Sequence, residues 1–198
     1  MKVKVGIVDY GIAGNIFSIQ RAIEAAGGEA VLVKNNDDFN GVDKIVLPGV
    51  GSFADGMQEL ESLKIVSSIK GFKGQVLGIC LGMQVLSKIG YEYGITEGLG
   101  VIEAEVKPVQ CTGPVPHVGF NGIRLIKEDL LFKGIEDEQF YFMHSYEVVN
   151  YTDILALTNY CDHQIVAAIK FNNFYGVQFH PEKSRDAGIK LFSNFINL

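Results

Sequence analysis

The stretch VLGICLGMQ, residues 76–84, places a cysteine at the end of an apolar run, with a glycine two positions away on either side. A short apolar run bounded by turn residues reads as a buried strand, and LGMQVLSKIG beyond it reads as a short helix. When a strand turns abruptly into a helix, the corner residue is held in a strained conformation with its side chain projecting from the end of the sheet. Flanking residues without a Cβ then let the two backbones pass. Gly78-Ile79-Cys80-Leu81-Gly82 fits such a nucleophile elbow. A helix beginning at Leu81 is expected to aim free N–H groups and its positive dipole end at the sulfur, favouring thiolate. The competing reading is a cysteine packed in the core as a small hydrophobe.

Strand and helix alternate on the amino-terminal side of this corner. VKVGIVDY (3–10) is rich in β-formers, and GNIFSIQRAIEAAGG sets Ile16, Ile19, Ala22, Ile23 and Ala26 at helical spacing before closing on glycine. EAVLV and KIVLPG follow as short strands. SFADGMQELESLKIVSSIKGF reads as one helix with Met57, Leu60, Leu63 and Ile69 on one face. This alternation predicts a parallel sheet wrapped by helices on both faces. After residue 98, GVIEAEVKPV, NGIRLI, FYFMHSYEVV, DILALT, IVAAIKF and FYGVQF are closely spaced strands, antiparallel or mixed. The chain closes on SRDAGIKLFSNFINL, an amphipathic helix with Ser184 as N-cap. The expectation is one compact α/β domain over residues 1–198.

Composition narrows the function classes. At 47% hydrophobic residues the chain can bury a substantial core. No apolar run approaches the ~18 residues a membrane span needs, and MKVKVGIVDYG lacks a signal peptide's apolar stretch and cleavage site. A cytoplasmic protein is expected. With 17 Lys plus Arg against 23 Asp plus Glu, the net charge of −6 argues against nucleic acid or an anionic membrane as partner. Three widely separated cysteines argue against a disulfide framework, and neither a CxxC pair nor HExxH supports a metal site. No cofactor is expected.

Two further motifs bear on Cys80. In YGVQFHPEKS, His180 and Glu182 flank Pro181; residues two apart in an extended segment share a face, and a proline biases its predecessor toward extension. The carboxylate can then hold one ring nitrogen while the other takes a proton from a thiol, as in a Cys-His-acid triad. In KIVLPGVGSF, Pro48-Gly49-Val50-Gly51 follows a strand and precedes a helix, so its N–H groups can turn toward an anion or oxyanion. Taken singly, the first is an ordinary surface pair and the second a plain turn. Together, Gly49, Cys80 and His180 each follow an apolar strand-like run, which places all three at the carboxyl rim of a parallel sheet, where ligands bind.

These three motifs, with PHVGFN and HSY upstream of the last, resemble the class I (triad) glutamine amidotransferases over the whole chain, and within them the glutaminase subunits of imidazole glycerol phosphate synthase. The resemblance implies a flavodoxin-like, open, mixed but mainly parallel sheet with helices on both faces. It implies hydrolysis of L-glutamine to glutamate and ammonia, with Cys80 attacking the side-chain amide, His180 carrying the proton and Glu182 orienting the imidazole. Leu81 and either Gly49 or Val50 would hold the oxyanion. Gly51, Gln84, Glu97, Ser145 and Tyr146 would hold the substrate. In this family the glutaminase docks on a (β/α)8-barrel synthase subunit that receives the ammonia for histidine biosynthesis, and Asn15, Phe120, Tyr141 and Lys183 match positions that would face it.

The sequence departs from the family pattern at two places. Asp9-Tyr10-Gly11-Ile12-Ala13-Gly14-Asn15 is one residue longer than the usual D-Y-G-x-G-N, and GFN stands at 119–121 where GWN is usual. Both lie in segments expected near the synthase, so they bear on the partner and leave the triad intact. A paralogue feeding ammonia to a surface-sugar amidating enzyme is the alternative. A catalytically silent binding module and a cysteine peptidase are rivals of other classes, and the full set Cys80, His180 and Glu182 argues against the first. His117, His144 and His163 are expected to pack and hydrogen-bond, and Cys111 and Cys161 to be bystanders.

Overall fold

The computed structural model describes residues 2–11 and 15–198. The lengthening of the first loop falls on Ile12–Gly14 and lies outside them. The amino-terminal part runs β1 (Lys4–Val8), α1 (Ile16–Ala25), β2 (Glu29–Val33), β3 (Lys44–Leu47), α2 (Phe53–Ser62), α3 (Val66–Gly71), β4 (Val76–Ile79) and α4 (Leu81–Gln84). Short strands β5 (Ile89–Gly90), β6 (Thr96–Glu97) and β7 (Glu105–Pro108) come next, then β8 (His117–Gly122), β9 (Arg124–Leu125), β10 (Gln139–His144) and β11 (Tyr146–Val149). A long hairpin of β12 (Ile154–Tyr160) and β13 (His163–Phe171) leads into β14 (Phe174–Val177) and α5 (Arg185–Asn197).

The main sheet has the order β2-β1-β3-β4-β14-β13-β12-β9. Its first five strands are parallel and the rest antiparallel, matching the mixed, mainly parallel expectation. Strands β3, β4 and β14 are buried at every position, which is why their sequences read as unbroken apolar runs instead of alternating ones. Both faces are covered. Val5, Ile7, Leu77 and Ile79 pack with Ile19 and Ile23 of α1 and Leu191, Phe192 and Phe195 of α5. Val8, Ile45, Leu47 and Val76 pack on the other side with Met57 and Leu60 of α2 and Ile69 of α3. Beside this sheet lie a ribbon, β10-β8, and a small sheet, β11-β7-β5-β6. Among the described residues no helix is long and apolar enough to cross a membrane.

Four expectations are corrected. The helix expected over 52–72 is two, broken at Lys64, whose φ is 56°. In a straight helix Ile69 would lie roughly 120° round from Met57; the break lets Ile65 and Ile69 both reach full burial. FYFMHSYEVV is likewise two strands: β10 pairs with β8 and β11 with β7, so the chain leaves one sheet for another at Ser145. GVIEAEVKPV is a strand only from Glu105. Ser184 stands at the N-cap of α5, but its hydroxyl makes no cap bond. It donates to the His180 carbonyl at 2.7 Å and accepts from the Tyr141 N–H at 2.9 Å, tying the last loop to the ribbon.

Candidate active site

Strands β3, β4 and β14 are neighbours in parallel register, with Leu47 opposite Gly78 and Gly176 opposite Gly78 on the other side. The segments after them, carrying Gly49, Cys80 and His180, therefore leave the sheet at the same rim. Cys80 has φ 52° and ψ −108°, a region a side chain enters only under constraint. Its N–H donates to the Val177 carbonyl at 2.8 Å, and its carbonyl accepts from Met83 and Gln84 at 3.0 Å. The glycine fence is a packing requirement: a Cβ on Gly82 would lie 1.9 Å from the Leu47 carbonyl oxygen, and one on Gly78 2.5 Å from that of Gly82. The elbow is real, but the helix after it is only four residues long. One turn sums few peptide dipoles, so the expected macrodipole is replaced by the local N–H groups alone.

Cys80 is 7% exposed, and it opens on a cavity of about 260 Å³ lined by Val50, Gly51, Leu81, Gln84, Glu92 and the Pro116 and Met143–Tyr146 segments. That is room for a small amino acid beside the sulfur. The strand break at Ser145 builds the far wall. In an unbroken strand Ser145 would turn away from His144 and Tyr146, whereas the change of sheet lets all three line the cavity. Glu92, half-buried at this wall, accepts the Phe53 N–H at 2.7 Å.

His180 and Glu182 are both 1% exposed in their side chains, with Nδ1 of the imidazole 2.8 Å from Oε1 of the carboxylate. That carboxylate oxygen also accepts from Asn15 Nδ2 at 2.6 Å. Because a carboxylate only accepts, Nδ1 carries the proton toward it and Nε2 is left for chemistry. Nε2 has no other protein partner. Burial opposes a charged imidazole, but the Cys80 sulfur and the Glu182 carboxylate outweigh it, and the His180 pKa is pushed up to about 10. A group poised this way receives a thiol proton readily. His144 shows the opposite balance. Burial takes its pKa down to about 4 against the effect of the Tyr146 carbonyl, with His117 and His180 adding to the fall. It is neutral, 2.9 Å from that carbonyl through Nδ1 and 3.2 Å from His117 Nδ1 through Nε2.

The Pro48–Gly51 loop borders the site closely. The buried Tyr10 hydroxyl donates to the Pro48 carbonyl. A Cβ on Gly49 would lie 2.5 Å from Leu81 Cβ, so only glycine lets the loop rest on the elbow. Among the described residues no group of three or more His, Cys, Asp or Glu could hold a metal.

The family model for glutamine amidotransferase class-I matches residues 7–198. The chain belongs to the class I glutamine amidotransferases. This amidotransferase is 38% identical to the imidazole glycerol phosphate synthase subunit HisH 1 of Campylobacter jejuni subsp. jejuni serotype O:23/36, covering 98% of the chain and all of the relative. It is 42% identical to the subunit of the same name from Vibrio vulnificus YJ016 over 98% of each, and 41% identical to subunit HisH of Aquifex aeolicus over 96% and 94%. Among solved structures, a putative GMP synthase subunit from Thermoplasma acidophilum superposes with a TM-score of 0.77 at 22% identity, covering 100% of this chain and 94% of that one. PurLQS from Thermotoga maritima superposes at 0.76 and 19%, covering 100% and 99%. At those identities the structures establish the shared fold.

Most positions expected in the amidotransferase's site lie together: Cys80, Leu81, Val50, Gly51, Gln84, Ser145 and Tyr146 border one cavity, with His180 behind the sulfur. Glu97 does not join them. It is exposed on β6 and borders a separate hollow with Lys88, Tyr91 and Glu105, while Glu92 occupies the wall instead. Both acids lie in the polar turn YEYGITEG, and nothing local distinguishes them before the hairpin is folded. Gly49 packs behind the cavity instead of lining it. Phe120 and Tyr141 are opposite each other on the ribbon at 5.5 Å, with Arg185 over the first ring at 4.5 Å and Lys183 over the second at 5.7 Å. Asn15 donates to Glu182, the residue preceding Lys183. Gln178 was missed, although a glutamine inside the apolar run FYGVQF is itself a signal that a buried amide has partners.

Proposed function

We propose that this chain, acting as one domain over residues 1–198, is the glutaminase subunit of an imidazole glycerol phosphate synthase, hydrolysing L-glutamine to glutamate and ammonia. The observation that carries the chemistry is the buried His180–Glu182 pair with Nε2 left over, beside a sulfur that opens on an amino-acid-sized cavity. The Cys80 thiol proton passes to His180 Nε2, and the thiolate Sγ this leaves attacks the side-chain carbonyl carbon of glutamine. The oxyanion that forms is held by the N–H groups of Leu81 and Val50, residues that both border the cavity. Losing one such donor typically costs ~3 kcal/mol of barrier. As the C–N bond breaks, His180 returns the proton to the departing ammonia, leaving a γ-glutamyl thioester. Water deprotonated by the same imidazole then hydrolyses it to glutamate and restores the thiol. Glu182 keeps the ring in one tautomer throughout, and Asn15 steadies the carboxylate. Gly51, Gln84, Glu92, Ser145 and Tyr146 surround the bound amino acid.

Identities of 37–42% to curated subunits, over nearly their whole length, support the histidine pathway. The partner is then a (β/α)8-barrel cyclase subunit in the cytoplasm, docked over the patch of Phe120, Tyr141, Lys183 and Arg185. Glutamate release by wild type and Cys80→Ser, each with a cognate barrel subunit, tests the reading. Stimulated turnover in wild type and none in the variant is expected; equal rates overturn it.

A further inference from the structure

Gln178, the residue after β14, is fully buried despite its polar side chain. Its N–H donates to the Ala167 carbonyl at 2.9 Å, so its backbone is fixed by the sheet. Its side-chain amide belongs to a relay that can run in one sense only. The Tyr146 carbonyl can only accept, so the Gln84 nitrogen 2.9 Å from it is the donor end of that amide. The same nitrogen lies 3.0 Å from Gln178 Oε1, which accepts its second hydrogen. The remaining end of the Gln178 amide, Nε2, then faces the Cys80 sulfur at 3.5 Å as a donor. Turning the amide over would set two NH2 groups against each other and aim a carbonyl oxygen at the sulfur.

The other protein contacts of the sulfur make this donor matter. The Met143 carbonyl, 3.9 Å from Sγ, accepts and so favours the S–H form. His180 can favour the thiolate only while it holds the proton that catalysis requires it to give up. An N–H that favours thiolate whatever the state of His180 is supplied by Gln178.

We infer that Gln178 is a positioning residue for the nucleophile: its buried amide, oriented by Gln84 and the Tyr146 carbonyl, donates to Cys80 Sγ, stabilises the thiolate and holds it at the cavity wall. The inference rests on the nucleophilic role proposed for Cys80. Because the relay starts at Tyr146 on the far wall, the sulfur's protonation is tied to the position of that wall.

The test measures the pH dependence of Cys80 alkylation by iodoacetamide in a Cys111→Ser/Cys161→Ser background, where Cys80 is the only thiol. A hydrogen bond to a charged group is worth enough to move an ionisation by about one unit. Gln178→Leu is expected to alkylate about tenfold more slowly at pH 7, its profile displaced upward by about one unit, with kcat for glutamine falling at pH 7 and recovering as pH rises. Gln178→Glu keeps an acceptor for Gln84 but turns an oxygen to the sulfur, and is expected to shift the profile further. Profiles that coincide with wild type overturn the inference. Should either variant fail to fold, the wild type decides alone: the Gln178 side-chain amide NMR resonances must move with pH at the alkylation midpoint, and resonances that stay put through it overturn the inference. Alkylation needs no glutamine turnover, so a reactive Cys80 in a protein that hydrolyses no glutamine would sink the glutaminase reading and leave this one standing.

Discussion

The two walls of the cavity are built by opposite devices. On one side, the elbow at Cys80 is close-packed backbone: Gly78, Gly82 and Gly49 leave no room for a Cβ, and the strain at φ 52° is held by the strands on either side. On the other, Met143–Tyr146 is the point where one run of residues passes between two sheets, and it is held by side chains, through the Gln84 amide and the His144 imidazole, both on the Tyr146 carbonyl. The first wall resists any added atom. The second depends on the protonation and pairing of buried polar groups.

The largest effect tests the chemistry of the first wall. Cys80→Ala is expected to lower glutamine turnover with the proposed barrel subunit by on the order of 10⁴-fold or more, while leaving glutamine binding measurable by calorimetry. Turnover within tenfold of wild type would show that the sulfur is not the nucleophile. Next comes the packing. Gly82→Ala forces a Cβ to within 1.9 Å of the Leu47 carbonyl oxygen, backbone that can move only by displacing β3. Overpacking of this kind costs about 3 kcal/mol, read as a lower denaturant midpoint at unchanged m-value. The second wall should differ here: Met143→Leu, a volume-conserving swap, is expected to cost under about 1.5 kcal/mol.

The difference between the walls is also a difference in what a sequence displays. A glycine fence, a histidine and acid across a proline, and a strand-turn-helix alternation are local patterns, so the Cys80 corner, the His180–Glu182 pair, the rim and the parallel half of the sheet were all readable from the residues. The break at Ser145 has no local mark. FYFMHSYEVV carries no glycine or proline, and only its pairing with β8 and β7, 19 to 44 residues away, splits it. The same holds for Glu92 against Glu97, which differ only in how a hairpin folds. Ser184 looked like a cap because serine before an acidic first turn usually is one; tertiary contacts with Tyr141 and His180 took its hydroxyl instead.

Protonation separates the walls again. His144 has a pKa near 6.5 when unfolded and about 4 in the fold, lowered first by burial and further by His117 and His180 despite the Tyr146 carbonyl. Above pH 6.5 both states are neutral and the shift contributes nothing. As pH falls from 6.5 to 4 the unfolded chain takes up a proton that the native one refuses, so stability is lost across that window, by about 3 kcal/mol. His144→Gln removes the titration and should flatten this slope in denaturant melts. A variant with the same slope as wild type would place its cause elsewhere, with His117, also lowered by burial, the first to examine.

The smallest effect comes from the outer face of the ribbon that carries the second wall. Phe120 is 39% exposed and makes an edge contact with Tyr141 beneath the Arg185 guanidinium, so little water-free area is at stake. Phe120→Ala is expected to cost under about 1 kcal/mol of stability, the scale of one half-exposed aromatic pair, and to leave basal glutamine hydrolysis unchanged. Its effect should fall on affinity for the proposed barrel subunit, where truncating an aromatic anchor of an interface costs about 2 kcal/mol, roughly thirtyfold in Kd by titration calorimetry. Phe142, next to Tyr141 but on the inner face of the same ribbon, gives the contrast. It is fully buried and stacks on His117 at 4.8 Å, so Phe142→Ala should cost about 3–5 kcal/mol of stability. If Phe120→Ala left the Kd unchanged, the docking surface would lie elsewhere on the rim.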